Sequence, residues 1–200
     1  LFDLGLTNDE HESFSVAARV GNSKSDGTTV IAGTFLRAEG TALIDIASVK
    51  WSIRFQTKSD GRVEPLIETE VLAVEAIGTG VNVYGDVCGV QIGEPSVDDQ
   101  AVVWSSGSTS MPRHSTSVTH VSTADVGDSG IVVGAGWYQD RKTQGDRALV
   151  WQALDSEAIL LDKFLPKRSP LIHLLYADAV NTRGEIVGRA AGGAYMAIPE

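Results

Sequence analysis

A single cysteine, Cys88, excludes a disulfide within the chain. Four histidines, His11, His114, His120 and His173, form no His-x-His or His-Glu-x-x-His pair, so the spacing of a zinc site is missing. The acidic stretches SVDDQ and SKSDG lack the alternating oxygen ligands of a calcium loop. No glycine-rich phosphate loop stands in the strand–turn–helix setting it requires, and nothing in the sequence implies a cofactor. Basic residues are few: 16 Lys and Arg stand against 26 Asp and Glu, for a net charge of −10. Such a surface repels phosphate backbones and anionic headgroups, which argues against nucleic acid and charged membranes as partners. No apolar run approaches the roughly 20 residues of a membrane span. No signal-peptide pattern is visible. The chain begins at Leu1 without Met, and we read it as a processed chain or a piece of something longer.

What is present is globular and strand-like. Hydrophobic residues make up 42% of the 200, and 21 glycines outnumber 6 prolines. With frequent Val, Ile and Thr, this composition favours strands joined by tight turns. One pattern recurs four times: VNTRGEIVG at Val180 to Gly188, VGDSGIVVG at Val126 to Gly134, VNVYGDVCG at Val81 to Gly89, and the longer VGNSKSDGTTVIAG at Val20 to Gly33. An apolar residue is followed by a polar turn, a Gly, a β-branched pair and a second Gly. Each second Gly precedes a short apolar strand: SVKW ending at Trp51, AVVW at Trp104, ALVW at Trp151, and AYMA, where Ala197 takes the Trp place. These landmarks lie 53, 47 and 46 residues apart, a period at the long end for stacked repeats.

The spacing predicts one all-β repeat domain over residues 1–200, with units of about 1–51, 52–104, 105–151 and 152–200, each yielding about four short antiparallel strands. Such units bury their apolar sheets only by stacking, so a β-propeller-like fold, with an incomplete ring among the possibilities, fits best. Leu1 to Thr7, LFDLGLT, reads as the tail strand of a repeat. Glu64 to Ile77 carries a helix-like pattern, but repeat logic makes it strand, loop, strand. The Ser/Thr-rich run from Ser105 to Thr123 reads as a floppy surface segment. EAILLDKFL, ending at Leu165, reads as a short helix or a strand, and the AAGG at Ala190 to Gly193 as a hairpin turn.

AVNTRGEIVG from Ala179, ADVGDSGIVVG with ALVW, VNVYGDVCG with AVVW, and FDLGL from Phe2 together resemble the bacterial extracellular HAF-type repeat. The departures are the longer first turn, Gly21 and Gly127 where Asn is usual, and Ala197 for Trp. The resemblance implies a propeller-like, exported protein, extracellular or on the cell surface, and carries over no catalytic residues.

GDSG at Gly127 to Gly130 matches part of the nucleophile segment of chymotrypsin-like proteases. The next residue is Ile131 rather than Gly, no Ala-Ala-His-Cys segment exists, and GDSG falls in register with the sister turns. Asp128, Ser129 and Gly130 also match part of the Asp-box turn of sialidase-like propellers, a structural turn. Cys88 occupies a Val place in its strand and reads as a small buried hydrophobe.

The loops between outgoing and returning strands cluster at one end of a propeller, where binding sites evolve on a rigid scaffold. They hold Glu94, Asp98 and Asp99 in one unit, and Trp137, Tyr138, Asp140, Arg141 and Asp146 in the next. Of these, Asp98, Asp99, Trp137, Tyr138 and Asp140 form the candidate binding face: a Trp-Tyr pair beside acids suits a sugar or a peptide. The competing reading makes Trp137 and Tyr138 ordinary strand residues that face opposite ways. The sequence therefore reads as a non-enzymatic extracellular binding or scaffolding module with a glycan or protein ligand. The alternative is a glycan-active hydrolase or lyase on the same scaffold. That enzyme needs two converging carboxylates, whereas Asp98 and Asp99 are adjacent and point apart if they lie in a strand.

Overall fold

The computed structural model describes residues 12–21, 24–39, 42–93, 98–169 and 173–199. Among them are strands, turns and one short 3-10 turn, with no α-helix. The strands form four antiparallel meanders in chain order. Blade 1 contains β1 (Glu12–Val20), β2 (Thr29–Glu39), β3 (Ala42–Thr57) and β4 (Val63–Val74). Blade 2 contains β5 (Ala76–Val81), β6 (Val87–Gln91), β7 (Gln100–Ser105) and β8 (Ser108–Ser110). Blade 3 contains β9 (Val118–Val126), β10 (Val132–Gln139), β11 (Gln144–Trp151) and β12 (Ile159–Leu160). Blade 4 has three described strands: β13 (Leu174–Val180), β14 (Ile186–Ala190) and β15 (Gly193–Ala197). The protein is an all-β, propeller-like repeat with an open ring: no described strand ladder joins blade 4 to blade 1. Each Trp landmark lies in a third strand, so the blades run one strand later than the sequence units. Leu1 to Thr7 lies outside the described residues.

Both glycines of the repeat have a structural cause. The first closes the turn between the first two strands of each blade, at φ 80° for Gly27, 86° for Gly85, 82° for Gly130 and 76° for Gly184. Its N–H returns to the carbonyl three residues back in every case: Lys24, Asn82, Gly127 and Asn181. Asn82 Oδ1 and Asn181 Oδ1 each accept two backbone N–H groups inside their turns, which is why an amide serves there. The second glycine lies opposite a β-bulge. Strand pairing slips between Ala17 and Arg19, Gly78 and Gly80, Thr123 and Asp125, and Ala177 and Ala179. The slip pushes a carbonyl of the first strand onto the second. A β-carbon built on Gly33, Gly89, Gly134 or Gly188 falls 2.0–2.2 Å from the carbonyl of Val16, Ile77, Ser122 or Tyr176, and no side chain fits.

Blades stack through apolar faces. Val30 and Ala32 of blade 1 meet Ala76, Val81, Val87, Val102 and Trp104 of blade 2. Cys88, Ala101 and Val103 meet Val121, Val132, Leu149 and Trp151 of blade 3. Val133, Ala148 and Val150 meet Leu174, Ala177, Val180 and Ile186 of blade 4. Trp104 thus fills the joint with the preceding blade, and Trp151 does the same one blade later. In blade 4, where Ala197 replaces Trp, Tyr195 lies across Gly188 instead and donates its hydroxyl to Tyr176 O at 2.9 Å. Cys88 is fully buried, and desolvation pushes its thiol up to about 12.

Three sequence expectations change in detail. The helix-like run at Glu64 is strand, as repeat logic held, but no loop follows. Glu75 alone, at φ 52°, turns β4 into β5, and its N–H donates to Ile46 O at 2.7 Å. The Ser/Thr-rich run carries regular structure. It supplies β8 and the start of β9, and Arg113 between them is pinned: its carbonyl accepts Trp151 Nε1 at 2.8 Å and Ala158 N at 2.9 Å. EAILLDKFL is both alternatives in miniature: β12 followed by a 3-10 turn at Leu161–Phe164.

The bulge–glycine contact yields a direct test. Gly134→Ala is expected to lower stability by about 2–3 kcal/mol, because the backbone must move. Gly193→Ala, where nothing lies within 4 Å of the added carbon, is expected to change it by less than about 0.5 kcal/mol. Urea denaturation of the two variants measures both values.

Candidate functional site

Among the described residues, blade 3 carries the fullest set of candidates, at the turn between β10 and β11. Trp137 lies in β10 with Thr119 and Asp146 as cross-strand Cα partners. It shares a face with Val133, the blade 4 side, and is 38% exposed. Tyr138 points the other way and packs on the cluster around Trp151. Trp137 and Tyr138 therefore do face opposite ways. The Tyr138 hydroxyl still reaches round the strand end and donates to Asp140 Oδ2 at 3.0 Å.

Asp140 organises its turn. Oδ1 accepts Lys142 N and Thr143 N at 2.7 Å each and Thr143 Oγ1 at 3.2 Å. These backbone donors hold its pKa down at about 2, and the same carboxylate pushes the Tyr138 hydroxyl above its usual value. Beside it lies an open concavity of about 400 Å³ lined by Thr116, Ser117, Thr119, Gln139, Asp140 and Arg141. Since Trp137 is opposite Thr119 and two residues from Gln139, the three share one sheet face. Asp140 thus lines the concavity, and Trp137 stands beside it on the sheet face of Thr119 and Gln139. Asp98 and Asp99 belong elsewhere: Asp98 Oδ1 lies 3.3 Å from His120 Nε2, and Asp99 Oδ1 accepts Gly93 N at 3.2 Å. Glu94 falls outside the described residues.

At the opposite end, the first strands of all four blades surround an axial cavity of about 290 Å³. Its wall includes Val20, Val81, Val126 and Val180, the opening residues of the four repeats. The residues just before them are Arg19, Gly80, Asp125 and Ala179. Two are opposite charges and two are small. Arg19 of blade 1 donates to Asp125 Oδ2 of blade 3 at 2.7 Å, and Val180 N of blade 4 donates to the same oxygen at 3.0 Å. Gly80 leaves the room: a β-carbon there falls 2.9 Å from Asp125 Oδ1. Asp125 is 2% exposed, and burial raises its pKa against the opposing pull of Val180 N–H and Arg19. No motif marks this pair in the sequence. Its one signal is the loss of sameness at the position before each repeat Val.

Gly127 to Gly130 is a turn. Gly130 N donates to Gly127 O at 3.0 Å, as in the sister turns, and Asp128 Oδ1 accepts Val83 N of blade 2 at 2.9 Å. Ser129 is exposed at its tip. The described histidines associate elsewhere: His114 with Ser115 O, His120 with Asp98 and His173 with Asp162. Among the described residues no three His, Cys, Asp or Glu side chains gather as metal ligands.

These features define a class: an open propeller-like repeat protein with an open concavity at one end and a charge-bridged axis at the other. No family model, curated protein or solved structure matches the chain.

The axial pair sets a stability prediction. Asp125→Ala removes the acceptor of a buried N–H and of Arg19, and is expected to cost about 2–4 kcal/mol. The pH dependence has a defined sign. A carboxyl raised on folding stabilises the fold fully below its unfolded value near ~4, and that contribution is lost as pH rises through the folded value. Asp125→Asn abolishes this titration. Its destabilisation relative to the parent, read as the difference in Tm, is therefore expected to be largest near pH 4 and to shrink toward pH 7.

Proposed function

We propose that this chain is a non-enzymatic, extracellular binding module whose ligand lies in the blade 3 concavity against Trp137. The observation that carries this is the engagement of the acids. Asp140 spends both oxygens on its own turn and on Tyr138, while Asp98 and Asp99 hold separate partners. No two of these acids converge on an open site as acid and base, whereas hydroxyls line an open hollow and an aromatic side chain stands on the same sheet face as Thr119. Stacked blades supply the rigidity that makes such a surface selective. The HAF-type resemblance of the repeats supports an exported protein.

An array of glycans and peptides probed with the parent and with Trp137→Ala tests this reading. Saturable binding to at least one class is expected, weakened about tenfold or more in the variant, as loss of an aromatic anchor warrants. Unchanged circular dichroism keeps folding out of the result. Absence of binding across the whole array leaves a scaffold without a ligand site and defeats the proposal.

A further inference from the structure

Resting on that reading of the blade 3 concavity, we infer that its ligand is a carboxylated sugar: a pyranose bearing a carboxylate, stacked on Trp137 and held through its carboxylate by Arg141. Four observations converge. The lining is hydroxyl and amide, from Thr116, Ser117, Thr119 and Gln139. These groups both donate and accept, which suits the hydroxyls of a sugar ring. Trp137 adds a part-exposed aromatic face on the same side of the sheet as Thr119 and Gln139. A half-buried indole presents a large, stiff apolar plate that the ring's C–H face can cover.

The charge of the hollow is the third observation. Its carboxylate, Asp140, is turned onto its own turn: Oδ1 accepts Lys142 N, Thr143 N and Thr143 Oγ1, and Oδ2 accepts the Tyr138 hydroxyl, which leaves little of its charge for a cationic ligand. Its guanidinium, Arg141, is exposed on the rim, with Lys142 next in the turn. The turn is thus locally basic on a protein of net charge −10. A guanidinium fork matches a carboxylate with two parallel hydrogen bonds. Fourth, the strand beneath offers no edge to a peptide. β10 is paired on both sides, with β9 and β11, so main-chain addition is blocked there. No aliphatic side chain lines the hollow to receive a peptide's apolar residue.

Calorimetry with tetragalacturonate, its methyl ester and 3′-sialyllactose tests the assignment on the full chain. At least one of the two acids is expected to bind, and tetragalacturonate, if it is the one, at least tenfold more tightly than its ester. Arg141→Ala is expected to cost that acid tenfold or more, while Trp137→Ala weakens acid and ester alike. Both positions are exposed, so folding is checked by thermal melts. Equal affinity for acid and ester, or an acid bound undiminished by Arg141→Ala, overturns the inference and leaves the binding module standing. Binding only of peptides or neutral glycans on the array does the same. Failure of every probe on both experiments removes the module and the inference together.

Discussion

A backbone carbonyl pressed against a missing β-carbon is the contact on which this structure depends. In every blade the first strand carries one residue too many, and the bulge drives a carbonyl onto Gly33, Gly89, Gly134 or Gly188 of the second strand. In blades 1, 2 and 4 the same bare glycine receives the aromatic ring of Trp51, Trp104 or Tyr195 on its flank. The bulge adds local twist, and stacked sheets need matching twist to bury their faces. One small residue therefore serves strand pairing and the joint between blades.

The joints decide how the ends of the arc behave. Val187 of blade 4 occupies the repeat position of Ala32, Cys88 and Val133, all 0% exposed, yet is itself 43% exposed. Val20 of blade 1 is 60% exposed where Val81, Val126 and Val180 are 7% or less. The repeat thus builds the same interface at every step and leaves one half of it uncovered by described residues at each end. Arg19 and Asp125 work against this openness by tying blade 1 to blade 3 across the axis, with Val180 N of blade 4 on the same oxygen. Burial makes that carboxylate costly to ionise, and the two donors offset much of the cost.

The architecture was largely legible, because a repeated turn and a repeated Trp constrain every copy at once. The spacing of Val, Gly, Gly and Trp pointed to strands, turns and stacked units without reference to any single contact. The bulge was not legible, since an extra residue in a strand looks like any other alternation. Tyr195 was missed as the substitute for Trp because it arrives two residues before the expected place. The candidate site was partly legible. Asp140 lines a concavity and Trp137 shares the sheet face of its Thr119, but Tyr138 packs against the Trp151 cluster and Asp98 and Asp99 lie at another loop. Sequence adjacency shows neither which face a strand residue takes nor which loop acid its own turn consumes. Arg19 and Asp125, 106 residues apart, were invisible because only the curvature of the stacked blades about the axis brings them together.

The central claim is that the blades form one stacked body about the axis, rather than four sheets on a string. Amide hydrogen exchange of the native protein tests it most directly. Two reporters cross between blades: Val180 N on Asp125, and Val83 N on Asp128. If the blades are stacked as described, these amides exchange as slowly as those in the middle of β10, since all open only with the global fold. Rapid exchange at Val83 and Val180 beside a protected β10 would contradict the account and leave the blades as independent units.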